Sequence, residues 1–279
     1  MTEELNGDLR LSAGERLRYL TDNFVRNFRD AARPGFASLS TWRLPPQTRS
    51  SAHGLASPGR ILAEAFFENE LPKLLKPGPV TILEIGCGSG RARQILATAG
   101  YSGRYIGLDV DDRFDRKADP AGFESEFRLM DAHDLDPTPQ FDLIVSNSAL
   151  EHIPDDARLI AKLRSCLKPD GLQFHIVPSG AALFAYLWHG YRQYAAGALG
   201  ARFEPARTHV YGLGGLGSLA HHCIWITLPE MILRKDLRRA LPNVYGGFTR
   251  VAFAIDRVAG FGAPMFAVCE YAPHSPNVR

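Results

Sequence analysis

The run Leu83-Glu84-Ile85-Gly86-Cys87-Gly88-Ser89-Gly90 decides the reading of this 279-residue chain. An apolar stretch at 80–85 leads into it and reads as a buried strand; the pattern at 92–99 follows it and reads as a helix. Glycines at alternate positions between a strand and a helix let the backbone turn sharply and approach a ligand closely. Such a turn lies at the carboxyl edge of a parallel sheet, where α/β folds bind ligands. The next fixed point is Asp109, which ends the second apolar run, 19 residues after Gly90. A carboxylate there is placed to accept hydrogen bonds from both hydroxyls of a ribose.

Outward from the turn, strands are expected at 104–109, 127–130, 141–146 and 172–177, with a helix at 155–167. Strands alternating with helices predict a parallel sheet covered on both faces. The chain divides into three segments: 1–79, 80–178 and 179–279. In the first, Ser12 and Glu15 form a capping-box signature before an apolar periodicity at Leu17, Leu20, Phe24 and Phe28, ended by Pro34. Residues 38–57 read as a loop, and Ser57-Pro58 as the start of a second helix. In the third, Phe184, Leu187, Trp188 and Tyr191 recur at helical spacing, 212–217 is glycine-rich, 229–241 reads as a basic helix and 265–271 as a terminal strand.

Composition excludes several classes. The net charge of +2 offers no global polycation for nucleic acid. Charge is unevenly placed: 80–180 holds 11 basic and 16 acidic residues, and 181–279 holds 10 basic and 5 acidic. A basic C-terminal part suits an anionic acceptor or an acidic membrane surface, or is simply a solvated face. Cys87, Cys166, Cys223 and Cys269 are widely spaced and form neither a disulfide framework nor a zinc pattern. With a polar N-terminus and no apolar run long enough to span a bilayer, a cytoplasmic location is expected.

A glycine turn followed by an acid is common to two cofactor chemistries. Dinucleotide sites use GxGxxG, whereas this turn reads GxGxG and continues Arg91-Ala92-Arg93. Glu84, two residues before the first glycine, would repel a pyrophosphate but suits a cationic amino-acid moiety. The residues therefore favour a sulfonium amino-acid cofactor, and disfavour a nicotinamide oxidoreductase.

On these motifs the chain resembles the class I S-adenosylmethionine (SAM)-dependent methyltransferases, in the small-molecule branch typified by ubiquinone methyltransferases. The resemblance runs from about 80 to 177. Besides the glycine turn and Asp109, it includes Asp131-Ala132-His133-Asp134-Leu135, the stretch from Phe141 through Asn147-Ser148-Ala149-Leu150-Glu151-His152-Ile153, and Leu167-Lys168-Pro169-Asp170-Gly171, with Asp170 where a glycine is common. It implies a Rossmann-like fold: a mostly parallel seven-stranded sheet with helices on both faces. A helical cap would come from the N-terminus and from the insertion after the fifth strand. It implies SAM as cofactor, held by Glu84, Gly86, Cys87, Gly88 and Gly90. Asp109 and Val110 would lie on the ribose side, Asp131 and Ala132 at the adenine, and Asn147 and Ser148 after the fourth strand.

Methyl transfer needs mainly alignment and exclusion of water, with a base when the acceptor is a hydroxyl. His152 is the candidate base, set against a structural role in a loop. His209, His221 and His222 are further candidates in the third segment, each weighed against an ordinary loop or surface role. Adjacent histidines make a poor metal pair, and no metal is expected. The aromatic residues of the flanking segments would line an apolar acceptor pocket or form the cap's own core. The aromatic stretch 184–194 and the run Arg234, Lys235, Arg238 and Arg239 suggest peripheral membrane contact and a lipid-linked acceptor. The expected activity is methylation of a small-molecule or lipid- or sugar-linked acceptor on oxygen or carbon. The alternative is a non-catalytic SAM- or nucleoside-binding regulatory protein.

Overall fold

The computed structural model describes residues 4–33, 39–46, 54–116, 118–138 and 140–273. The first strand of the central unit is β2 (Pro79–Ile85), buried from Ile82 onward. Its successive side chains enter different cores, as the two-residue period of a strand dictates. Ile82 joins Phe66, Phe67, Tyr105 and Phe174 on one face, while Leu83 joins Ile144, Leu159 and Leu163 on the other. A strand buried on both faces reads as a continuous apolar run, which is why this segment was legible.

The sheet has eight strands in the order β1-β7-β8-β6-β5-β2-β3-β4. They are β1 (Leu39–Trp42), β2, β3 (Ser102–Asp109), β4 (Phe123–Leu129), β5 (Phe141–Asn147), β6 (Leu167–Pro178), β7 (Thr208–Leu213) and β8 (Met265–Tyr271). All pairings are parallel except those of β8 with β6 and β7. The expected Rossmann-like architecture is present, with one strand more than the seven anticipated. The extra strand is β1, which lies within the stretch read as loop. It is only four residues long and pairs with β7 from Leu39↔Val210 to Trp42↔Leu213, a partner no local pattern announces.

Helices cover both faces. The Ser12–Glu15 capping box forms and opens α1 (Ala13–Ala31); Pro34 lies outside the described residues. Ser57 caps α2 (Pro58–Asn69), with the Arg60 amide donating to its hydroxyl at 3.3 Å. A single turn, α3 (Leu71–Leu74), follows. Next come α4 (Arg91–Thr98) and α5 (Asp156–Ser165), then the short helices α6 (Leu183–Tyr186) and α7 (Ala196–Gly200). α8 (Leu216–His222) runs on as a π-helical segment, Cys223–Ile232, before α9 (Leu237–Ala240) and α10 (Pro242–Asp256). Among the described residues no helix is long and apolar enough to cross a membrane.

Three local expectations fail for backbone reasons. The helical spacing at 184–191 yields only the turn α6, because Leu187 (φ 51°) and Gly190 (φ 60°) reverse the chain. The basic stretch 229–241 is not one helix. Pro229, without an amide proton, sits in the wider π-helical turn, and Arg234 adopts φ 55° before α9 begins. The glycine-rich stretch 212–217 is not a loop throughout, since Gly212 lies in β7 and α8 starts at Leu216.

Candidate functional site

The turn after β2 holds three glycines in the left-handed region: Gly86 (φ 64°), Gly88 (φ 52°) and Gly90 (φ 76°). Two are also crowded. A Cβ on Gly86 would stand 2.5 Å from that of Ala149, and one on Gly90 would stand 2.6 Å from the Phe127 ring. Gly88 differs: nothing lies within 4 Å of its missing Cβ. Its backbone thus borders open space at the carboxyl edge of the sheet, a cradle that any side chain would enter.

Asp109, at the end of β3, is tied to this turn. One carboxylate oxygen accepts from the Gly88 amide at 2.7 Å and the other from the Asp111 amide at 3.0 Å. The side chain is 5 % exposed, with the Arg113 guanidinium 3.6 Å away. Each oxygen keeps a second lone pair. Val110 beside it is exposed.

Glu84 is buried below the turn and receives a hydrogen bond from the Tyr105 hydroxyl on β3. Burial pushes its carboxyl up to about 8, so it is largely neutral at pH 7. The carboxylate charge invoked from the sequence is therefore not what Glu84 presents here. The Cys87 thiol is likewise buried, against Gly107, and burial raises its pKa.

Asp131 caps the short turn Ala132–Asp134 by accepting from the His133 amide at 2.8 Å, and its side chain is exposed. Ala132 is buried beside it. Asn147 ends β5 and Ser148 follows it. Ser148 takes φ 53°, unusual for a residue with a side chain, and its amide donates to the Ile176 carbonyl at 2.9 Å. Ala149, next in the chain, is the residue packed on Gly86, so the cradle and the end of β5 are in contact.

Asn147 and Ser148 line a cavity of about 550 Å³ whose other walls come from the flanking segments. Arg60 reaches it from α2, Tyr186 and His189 from α6 and the loop after it, and Arg238 from α9. A bidentate pair with Glu230 holds Arg238 in place. Tyr186 was among the flanking aromatics expected to line a pocket and Arg238 belonged to the basic run, but Arg60 and His189 were not legible, because nothing in their own stretches marks them.

His152 is 34 % exposed, and its Nδ1 lies 2.6 Å from an Asp8 carboxylate oxygen. The His189 ring packs edge-on to it, with centroids 4.6 Å apart. Burial of Asp8 opposes ionisation, but hydrogen bonds from His152 and His189 override it and hold the carboxyl well below its usual range. Burial alone would lower His189; its contacts with Asp8 and Glu151 instead push it up to about 9. The other candidate histidines do not join this group. His221 bonds Thr249 (2.9 Å) and His222 bonds Thr227 (3.2 Å), and burial lowers both to about 4. They are core histidines, not surface ones. His209 lies in β7 facing Tyr271.

Comparison with known proteins adds a decisive observation: residues 83–174 match the family model described as a methyltransferase domain. This segment is a class I methyltransferase domain. Its class takes its methyl group from SAM, and the small-molecule type is the one represented among the relatives. A ubiquinone biosynthesis O-methyltransferase of Paramagnetospirillum magneticum is 28% identical over 135 residues, 47% of this chain and 53% of that protein. A trans-aconitate 2-methyltransferase of Acidovorax sp. is 32% identical over 102 residues, 37% of this chain and 40% of that protein. The chain thus spans about half the length, or less, of these relatives. A chain of the complex between the Haloferax volcanii Trm112 methyltransferase activator and a methyltransferase shares the fold. It has a TM-score of 0.51 at 19% identity, covering 78% of this chain and 93% of that one.

Proposed function

We propose that this chain transfers the methyl group of SAM to a small-molecule acceptor, free or lipid- or sugar-linked, on oxygen or carbon. The observation that carries the reading is the packing of Ala149 on Gly86, which sets the glycine turn, open at Gly88, against the end of β5 where Asn147 and Ser148 begin the 550 Å³ cavity. One space suits a donor and the adjoining one an acceptor.

The residues fit SAM. Gly88 leaves room for close backbone approach, and the remaining lone pairs of Asp109 suit ribose hydroxyls. Asp131 and Ala132 stand at the next strand end for adenine, and Val110 lies beside the ribose acid. When bound, SAM supplies an electrophilic methyl carbon, so the protein's work is alignment and exclusion of water. Tyr186 and Ile226 give the cavity apolar wall, and Arg60 and Arg238 bring guanidinium groups to it. That combination suits an acceptor with an apolar body and an anionic group. His152, bonded to Asp8, is placed to hold a proton near that wall.

The test is calorimetry with SAM and its demethylated product, followed by transfer of labelled methyl to paired acceptors with and without a carboxylate. Micromolar binding and preference for the anionic acceptor are expected. A folded protein giving no heat with either nucleoside would end the proposal.

A further inference from the structure

The densest group of ionisable side chains lies beside the cavity and joins three parts of the chain. Asp8 comes from the turn before α1, Glu151 and His152 from the single turn Leu150–His152 after β5, and His189 from the loop after α6. The two imidazoles stand edge-on at 85° between two carboxylates. Both Nδ1 atoms face Asp8, at 2.6 and 3.4 Å, and both Nε2 atoms face one Glu151 oxygen, at 3.9 and 3.6 Å.

Glu151 is the informative member. Its side chain is 0% exposed, and neither of its oxygens accepts a hydrogen bond. A buried carboxylate without hydrogen bonds is costly unless a cation stands near it. The histidine nitrogens are too far away for hydrogen bonds. On the other side of the rings, His189 Nδ1 stands 3.4 Å from Asp8, the separation of two ligands about 2.1 Å from a tetrahedral centre. Atoms of Asp8, His152 and His189 able to serve as ligands all lie within 4.8 Å of one another.

We propose that Asp8, His152 and His189 hold a divalent transition-metal ion, with the buried Glu151 carboxylate, on the far (Nε2) side of both rings, as a countercharge that orients them. Two imidazole nitrogens among carboxylates select zinc, cobalt, manganese or iron over magnesium and calcium, which prefer oxygen alone. Asp8, His152 and His189 are each about one-third exposed, so the ion has a path in from solvent. Asp8 and His189 lie outside residues 83–174, so two of the three ligands belong to the flanking segments. His189 also lines the cavity. The ion therefore stands at the acceptor wall, where, on the methyl-transfer reading, it would bind an oxygen-bearing acceptor.

The test uses the full chain, stripped with chelator and titrated with Co²⁺. Expected are one equivalent bound, the visible absorption of a four- or five-coordinate ion, and its displacement by Zn²⁺. His152→Ala and His189→Ala should each abolish that absorption, and Glu151→Gln should weaken Co²⁺ binding by about 10- to 100-fold. Circular dichroism confirms that each variant is folded, and His189→Gln serves if His189→Ala is not. No absorption with the unmutated chain, or unchanged Co²⁺ affinity in a folded histidine variant, overturns the proposal. SAM calorimetry on the unmutated chain is a separate readout, so failure here leaves the methyl-transfer reading to its own test.

Discussion

At the scale of single residues, Asp109 and Glu84 show two carboxyls on neighbouring strands put to different uses. Asp109 works as an acceptor: its oxygens receive the amides of Gly88 and Asp111. Asp109→Ala is expected to weaken SAM binding by about 1–3 kcal/mol through lost charge-assisted bonds. An unchanged dissociation constant in calorimetry would remove the ribose assignment. Glu84 is a buried acid with its pKa raised from 4.5 to about 8. A carboxyl raised on folding stabilises the native state fully below its unfolded value, and that contribution is lost as pH rises through the folded value. Melting temperature should therefore fall between pH 5 and 9 partly on its account, and Glu84→Gln should flatten that slope. A parallel slope in the variant would show that Glu84 is not the titrating group. The glycine turn was legible because its chemistry is local. Asp8 and His189 were not, being 181 positions apart and joined only by the fold. Glu84 was seen, but its neutrality depends on burial and on the neighbouring Asp109 charge, which no motif encodes.

At the scale of elements, α1 is the instructive case. Its periodicity and cap were plain in the sequence, yet the apolar stripe does not enter the core. Leu17, Phe24 and Phe28 are 65%, 55% and 73% exposed, while Tyr19, Asn23 and Asp30 are buried. Periodicity fixes which residues share a face, not what that face meets. The inward face is polar because it holds other chain segments: Tyr19 donates to the His189 carbonyl at 2.7 Å and accepts from Gln193. Tyr19→Phe is expected to cost about 1–2 kcal/mol in denaturant unfolding. Phe28→Ser, on the outward face, should leave the midpoint unchanged; a loss equal to that of Tyr19→Phe would mean the outward stripe is packed in solution. α10 repeats the pattern, with Val244, Phe248, Val251, Ile255 and Val258 exposed along one side and Tyr245, Thr249, Ala252 and Asp256 buried on the other.

At the scale of the whole molecule, the α1 stripe meets Phe184 and Leu187 in an apolar groove that Phe24 and Val25 also line, and Ile224, Leu228, Ile232 and Leu233, on the π-helical segment and just beyond, are exposed as well. Arg234, Lys235 and Arg239 follow directly in the chain. Apolar surface bordered by cations suits an anionic bilayer surface. Co-sedimentation with vesicles rich in anionic lipid is expected at low salt and to be reduced by Phe28→Ser with Phe248→Ser; absence of binding to such vesicles would refute it. The centre of the sheet was readable because β2, β3, β5 and β6 carry buried runs that face both sides. Its far edge was not, because β1 exists only through its pairing with β7.

The loop bearing His189 is fastened from the turn after β5, where the Glu151 carbonyl accepts from the Tyr191 amide at 2.7 Å, and from the first segment. The Gly7 amide meets the Gly190 carbonyl at 2.7 Å, Asp8 meets the Gly190 amide at 3.1 Å, and Glu4 engages Arg192. On the methyl-transfer reading, the donor turn lies within 83–174 while most of the acceptor wall is encoded outside it. Descendants that keep 83–174 intact while drifting in their first thirty codons would retain the donor and exchange the acceptor.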